Sequence, residues 1–464
     1  MGRPPFQRVF VANRGEIAVR IIGACRKLGI ETVVAVSEAD RDSMAARIAT
    51  RAVCVGPASA SLSYLNANAL VQAAMSTGCE AVHPGYGFLS ERSAFARLCE
   101  DNCLAFIGPT PDAIDAMGDK LTAIRVADEA DVARVPGSDR VTSDEQARAD
   151  AARIGYPLLF KASAGGGGRG MRLVRSTVEL ESARSSAAAE AQAAFGDSTL
   201  YMEKYIERAR HIEIQLLADK HGNVVHLGER DCSTQRRHQK LIEEAPSAFI
   251  SPATRARLAE SAVRLAKRVN YRGAGTVEFV YDENTQEAYF LEMNTRIQVE
   301  HPVTEFVTGI DLVAEQIRIA AGEPLSFRQE DIGTSGHSIE CRVNAEDVSR
   351  NFMPGPGRIT EWDAPKGEGV RVDTHCEAGY LVPPYYDSLL AKLIVHGKDR
   401  AEAIALMLES LRAFTVKGVP TTIAFHHDVL SQADFAEGRV NTRWVEEKFL
   451  AARAAAKSTV PGIH

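Results

Sequence analysis

The segment TVEFVYDENTQEAYFLEMN sets two runs rich in β-branched and aromatic residues on either side of a polar turn, which predicts a β-hairpin over residues 276–294. Closed symmetrically, that hairpin faces Val280 with Phe290 and puts Glu278 directly opposite Glu292. Like charges at such a pair repel, so two carboxylates in a partly apolar sheet need a cation, or one must take up a proton. A magnesium ion bridging to substrate phosphates fits best, because magnesium takes one or two carboxylates together with phosphate oxygens and water. Two solvated glutamates on an exposed face are the alternative.

The chain continues LEMNTRIQVEHP, where Glu292, Asn294, Arg296, Gln298 and Glu300 recur at every second position. An extended backbone turns all five to one side. That is a poor core strand and a good floor for a small anionic substrate: Arg296 can grip an oxyanion with its fork, and Glu300 is placed to accept a proton. A solvated edge strand is the plainer reading of the same pattern.

There is enough apolar material to surround such a site. The 464 residues allow about three domains at ~150 residues each, and 45% of them are hydrophobic. Against 54 basic residues stand 61 acidic ones, a net charge of -7 that argues against nucleic acid or an anionic membrane as partner. No apolar run approaches the ~18 residues of a membrane span, and the opening MGRPPFQRVFVANRG lacks a signal-peptide pattern, so a cytoplasmic location is expected. The 8 cysteines are scattered without a Cys-x-x-Cys, which predicts neither a zinc nor a disulfide framework.

Residues 7–11 read as a buried strand, ANRGEIAVRIIGACRKLG as a glycine turn and helix, and ETVVAVS as the next strand. The order recurs through AVHPGYGFLSE and AFIGPT to about residue 117, predicting a doubly wound parallel α/β unit. YPLLFKASAGGGGRGMRLV then reads as strand, glycine loop, strand in a small second domain. The cluster Gly165, Gly166, Gly167, Gly168, Gly170 satisfies G-x-G-x-x-G, but a dinucleotide fingerprint must open a helix, whereas MRLVRS alternates like a strand. The loop is expected to be a flap whose backbone N–H groups close over phosphates, with Lys161 and Lys120 supplying point charges; a flexible turn is the alternative. In HIEIQLL the apolar Ile212, Ile214 and Leu216 alternate with His211, Glu213 and Gln215, so His211 faces away from that core. In ERDCSTQRRHQK, His238 and Lys240 stand out from a charge run that also holds Arg236 and Arg237. The rest predicts mixed α and antiparallel β structure.

In chain order, ANRGEIAVR (12–20), HPGYGFLSE (83–91), MGDK (117–120), KASAGGGGRGM (161–171), ERDCSTQRRHQK (229–240), YRGAGTVEF (271–279), EMNTRIQVEHP (292–302), ECRVNAED (340–347) and PPYYDS (383–388) resemble the biotin carboxylases of the ATP-grasp superfamily, over nearly the whole chain. The resemblance implies an α/β ATP-grasp fold: an N-terminal Rossmann-like domain (1–117), a connector (118–134), a small mobile lid (135–205), the ATP-grasp core (206–335) and a mixed α+β C-terminal domain (336–464). It implies an ATP-dependent ligase that activates bicarbonate as carboxyphosphate and carboxylates N1 of biotin. By resemblance Lys120, Lys161, the flap with Gly167, Gly168 and Met171, and His238 hold ATP phosphates, while Glu203, Lys204, Ile206, His211 and Gln235 line the adenosine end. Glu278 and Glu292, with Asn294 nearby, are implied to carry magnesium or manganese. Lys240, Arg296, Gln298 and the backbone of Val299 would hold bicarbonate, and Glu300 would deprotonate it. Arg342 would stabilise the biotin enolate, Tyr86 would neighbour the ureido ring, and phosphate released from carboxyphosphate would remove the N1 proton. Ala164 and Ile206 depart from the glycine and leucine usual in the family.

The lysine flanked by methionines that carries biotin in carrier domains is missing. Biotin is therefore expected on a separate biotin carboxyl carrier protein, with carboxyltransferase subunits as further partners. That suits an acetyl-CoA or other acyl-CoA carboxylase, or a split pyruvate carboxylase. Resemblance also implies a homodimer involving Arg20 and Arg371. A ligase passing an acyl phosphate to an amine and a catalytically silent nucleotide-binding regulator are the competing readings; the latter requires a lost metal or base residue, yet Glu278, Glu292, Arg296, Glu300 and Arg342 are all present.

Overall fold

The computed structural model describes residues 5–163 and 170–458. Its N-terminal unit is a parallel sheet of five strands, Arg8–Val11, Glu31–Ser37, Arg51–Gly56, Ala81–His83 and Ala105–Phe106, in the spatial order third, second, first, fourth, fifth. The first strand is buried through Val9, Phe10 and Val11, and the helix Gly15–Lys27 lays Ile17, Ala18, Ile21 and Ile22 against the sheet. Strand order reverses between the first and fourth strands, which is where an open α/β sheet leaves a crevice beyond its carboxyl ends. Two loops meet there. Asn13 donates to the carbonyls of Pro84 at 2.6 Å and Tyr86 at 2.8 Å, so the loop carrying Tyr86 is held against the one that leads into the first turn of the helix Gly15–Lys27, where Glu16 sits. Gly85 makes the turn with a φ of +63°, and a Cβ there would stand 3.0 Å from the Asn13 amide.

The expected small domain contains an antiparallel three-stranded sheet, Arg172–Val174, Leu158–Ala162 and Leu200–Lys204, packed by the helix Leu180–Phe195 through Ala187 and Ala191. Gly196 ends that alanine-rich helix in the left-handed region. The pairing of Leu158–Ala162 with Arg172–Val174 bears out a strand on each side of the glycine loop.

The central element is an eight-stranded antiparallel sheet. Its spatial order is Glu287–Asn294, Gly273–Asp282, Ala209–Ala218, Val224–Arg236, Gln239–Ala245, His337–Asn344, Leu389–Gly397 and Val370–Thr374. One sheet thus runs across residue 336, joining strands of the expected ATP-grasp core to strands of the expected C-terminal domain. On one face Ile212, Ile214, Leu216, Val277 and Phe279 pack against Leu258, Ala262 and Leu265 of the helix Pro252–Arg268. The polar alternates, Glu213, Gln215, Thr276 and Glu278, take the opposite face.

Two local expectations change. Glu278 does oppose Glu292, but the register shifts just beyond, so that Val280 pairs with Tyr289 rather than Phe290. A bulge of this kind adds one residue to a strand and increases its local twist. The extended run expected through Glu300 stops as a strand at Asn294; the chain then turns, and Glu300 caps the helix His301–Thr308. No helix among the described residues is long and apolar enough to cross a membrane. The central strand leaves no space at Gly275, where a Cβ would lie 2.7 Å from the Tyr271 ring. Gly275→Ala is expected to lose about 1–3 kcal/mol by overpacking, read as a lower thermal midpoint.

Candidate active site

Cross-strand register builds a row of charge. Glu292 opposes Glu278, Glu278 opposes Glu213, and Glu213 opposes Arg230, across four neighbouring strands. Three carboxylates then converge on one ammonium: Lys240 Nζ lies 2.6 Å from Glu213, 2.8 Å from Glu278 and 2.7 Å from Glu300. Glu213 and Glu300 are wholly buried, and Lys240 nearly so. Burial alone would strip the lysine of its proton, but the three carboxylates outweigh it and hold its pKa well above the usual lysine range. Burial likewise pushes Glu278 and Glu300 up. Lys240 and His211 overcome that at Glu278, and Lys240, Arg342 and Arg230 overcome it at Glu300, so both stay ionised below the usual carboxylate range.

The segment after the hairpin closes over this cluster. Arg296 donates to Asn294 Oδ1 at 3.0 Å, to Gln298 Oε1 at 2.9 Å and to Glu91 Oε2 at 3.0 Å, Glu91 arriving from the N-terminal unit. Asn294 and Gln298 in turn donate to Glu278 Oε1 at 2.9 and 3.3 Å. Asn294, Arg296, Gln298 and Glu300 therefore do meet in one cluster, although the backbone between them is not a strand. Arg342, on the strand His337–Asn344, joins from the C-terminal side, donating to Glu243 at 2.6 Å and to Glu300 Oε2 at 3.0 Å. Glu300 is left between an ammonium and a guanidinium, ionised and oriented.

The residues expected to hold nucleotide flank the cluster. His211 Nε2 lies 2.9 Å from Glu278 Oε2, and Gln235 is buried directly across from Lys240. His238 and Arg237 form the turn between their strands with φ of +64° and +48°, which leaves His238 exposed. Lys161 pairs with Glu203, while Lys204 donates to the carbonyls of Gly155 at 3.2 Å and Tyr156 at 2.6 Å. Burial lowers the pKa of Lys120, and the neighbouring Lys161 adds to this while Glu292 opposes it. Met171 and Ile206 are half-buried. The expected phosphate contacts of Gly167 and Gly168 lie outside the described residues.

A divalent cation fits the hairpin. Among the described residues no hydrogen bond or ion pair holds the Glu292 carboxyl, and its pKa is raised, first by partial loss of water around it and then by the charge on Glu278. Solvent still reaches it. An uncompensated oxygen donor beside a second carboxylate and the Asn294 amide is an oxygen-rich set of the kind magnesium takes. Sequence reasoning missed Glu213, Glu91, Arg230 and Glu243. Glu213 carried a signal, since it alternates with His211 on the polar side of HIEIQLL; the others are brought in by long-range pairing. A surface cavity of about 380 Å³ lies away from the cluster and is lined by residues such as Asp347, Pro420 and Asp428.

Residues 5–114 match the biotin carboxylase N-terminal domain, 119–328 the carbamoyl-phosphate synthase L chain ATP binding domain, and 340–447 the biotin carboxylase C-terminal domain. A biotin carboxylase of Nostoc sp. is 52% identical over 443 residues, 95% of this chain and 99% of that one. The chain belongs to the biotin carboxylase family. As a member it is an ATP-dependent ligase with an ATP-grasp fold. A pyruvate carboxylase subunit of Methanothermobacter thermautotrophicus is 50% identical over 443 residues, 95% of this chain and 90% of that one. Among solved structures, a biotin carboxylase complex with β,γ-ATP from Campylobacter jejuni superposes with a TM-score of 0.91 at 47% identity, covering 95% of this chain and 98% of that one. The biotin carboxylase domain dimer of Hydrogenobacter thermophilus 2-oxoglutarate carboxylase, in complex with MgADP, ADP and bicarbonate, gives 0.90 at 49% identity over 95% and 97% of the two chains.

Glu243 and Glu340 oppose one another across adjacent strands, both wholly buried, and neither Glu340 oxygen has a hydrogen-bond partner among the described residues. Burial and the Glu300 charge push Glu243 up to about 7 despite Arg342. An acid whose folded pKa exceeds its unfolded value of about 4.3 favours folding most below that value, and loses the contribution as pH rises through the folded pKa. The thermal midpoint is expected to fall between about pH 6 and pH 8, and to fall less in Glu243→Gln, which has no proton to lose. Parallel profiles for the two proteins would remove this assignment.

Proposed function

We propose that the chain activates bicarbonate with ATP and carboxylates N1 of biotin carried on a separate polypeptide, as the first half-reaction of an acetyl-CoA or other acyl-CoA carboxylase. The observation that supports this best is the placement of Glu300 within reach of both Lys240 and Arg342. Bicarbonate is a small anion with a proton to lose. Lys240, Arg296, Gln298 and the Val299 backbone would form its cradle; an anion entering there would compete with the carboxylates for Lys240 and raise the pKa of Glu300 toward that of a useful base. Glu300 would then take the bicarbonate proton as the freed oxygen attacks the γ-phosphate, giving carboxyphosphate and ADP. Lys120, Lys161 and His238 would hold the phosphates, with Glu203, Lys204, Ile206, His211 and Gln235 toward the adenosine.

Glu278 and Glu292, with Asn294, would hold magnesium or manganese, which neutralises phosphate charge when bound. On the acceptor side, Tyr86 would neighbour the biotin ring. Arg342, already clamped by two acids, would face the negative charge that develops as N1 loses its proton to released phosphate, an interaction worth most in the transition state. Biotin carboxyl carrier protein, carboxyltransferase subunits, a homodimer and the cytoplasm complete the proposed setting. Arg20 and Arg371, read from resemblance as dimer residues, both bond Glu305 at 2.7 Å within this chain. A second reading, the biotin carboxylase component of a split pyruvate carboxylase, is favoured by the similarity to the Methanothermobacter pyruvate carboxylase chain.

Purified protein with magnesium, bicarbonate and ATP is expected to release phosphate faster when free biotin is added; absence of that stimulation removes the reading, and stimulation by ammonia instead replaces it. Glu300→Gln is expected to lower turnover by about 10²–10⁴ while nucleotide binding stays nearly intact. Equal losses of turnover and ATP affinity would contradict the assignment of the base.

A further inference from the structure

Lys392, in the strand Leu389–Gly397, is wholly buried, and none of the steps above uses it. A buried ammonium is costly unless it is paired and hydrogen-bonded. Lys392 Nζ donates to the Val299 carbonyl at 2.9 Å and lies 3.2 Å from Glu16 Oε2 and 3.7 Å from Asp373 Oδ2. Glu16, itself 1% exposed at the side chain, accepts a hydrogen bond from the Tyr86 hydroxyl on its other oxygen. Asp373 is gripped by both ends of the Arg371 fork at 2.7 Å. In the sheet Lys392 stands directly opposite Arg342. These like charges would repel, and each has its own acids, Glu243 and Glu300 for Arg342, Glu16 and Asp373 for Lys392.

We propose that Lys392 is a positioning residue that ties the bicarbonate cradle to the biotin face. Because a peptide unit is planar, fixing the Val299 carbonyl fixes the Glu300 N–H as well. The preceding unit is fixed from the other side, where His301 Nδ1 meets the Gln298 carbonyl at 2.8 Å, so both peptides flanking Val299 are clamped at buried side chains. Through Glu16 the same ammonium sets the Tyr86 hydroxyl, which belongs to the N-terminal unit. One charge thereby orients two surfaces contributed by distant parts of the chain. The inference rests on the reading of Val299 and Tyr86 given under Proposed function.

The test uses the full chain with ATP, bicarbonate and free biotin. An inactive wild type would remove the parent reading and leave this one without its premise, whereas an active wild type isolates Lys392. Lys392→Met is expected to raise the KM for bicarbonate and for biotin about tenfold each, the scale of one lost buried charged hydrogen bond, with the KM for ATP within about twofold. Tyr86→Phe, which keeps the ring and removes the bond to Glu16, is expected to raise only the biotin KM, and the double variant to bind biotin no worse than Lys392→Met alone. A fall in kcat with all three KM values unchanged, or an ATP KM rising in step with the others, would show a merely structural lysine and overturn the inference. If Lys392→Met does not fold, the near-isosteric Glu16→Gln decides: a raised biotin KM with unchanged ATP KM supports the tie, and an unchanged biotin KM overturns it.

Discussion

The structure depends on one ammonium holding three buried carboxylates. Glu213, Glu278 and Glu300 come from three separate segments, and Lys240 lies within 2.8 Å of each. Without it, the remaining partners, Arg230 at Glu213, His211 at Glu278 and Arg342 at Glu300, would face a surplus of buried negative charge; breaking such a buried pair typically costs about 3–5 kcal/mol. The arrangement is therefore under electrostatic tension by construction. A sheet that only needed to be stable would do as well with hydrophobic residues at these positions, so their charge is best understood through what they bind.

That tension links the parts of the molecule. The N-terminal unit sends Glu91 to Arg296 and Glu16 to Lys392; the C-terminal strands send Arg342 to Glu300 and Lys392 to Val299. Each link is a charge meeting an opposite charge or a carbonyl where sequence-distant elements abut. The continuous eight-stranded sheet makes this possible, since it aligns Arg342 with Lys392 and Glu278 with Glu213 in fixed register. The site is thus built at the junction of all the large units.

Much of this is legible in the sequence. Opposition of Glu278 and Glu292 follows from counting back from the hairpin turn, and the pairing survives even though the bulge displaces Val280 by one partner. Spacing groups Asn294, Arg296, Gln298 and Glu300, and they do converge, but through a turn and a helix cap in place of a strand. Glu213 is visible only as a polar alternate. Its role appears when Ala209–Ala218 is seen beside Gly273–Asp282, a pairing no local pattern states. Glu91, Glu243 and Lys392 reach the site across large sequence separations, and only the tertiary fold brings them there. Arg342 and Tyr86 come from family motifs; their own flanks carry no periodic signal that marks them as functional.

The charge balance around Lys240 is tested most directly by thermal unfolding of Lys240→Met and of Lys240→Met/Glu278→Gln without added metal or nucleotide. The single variant is expected to melt several degrees below the wild type and the double variant to regain part of the loss, because part of the surplus negative charge is then removed. A single variant as stable as the wild type, or a double variant no more stable than the single, would contradict it.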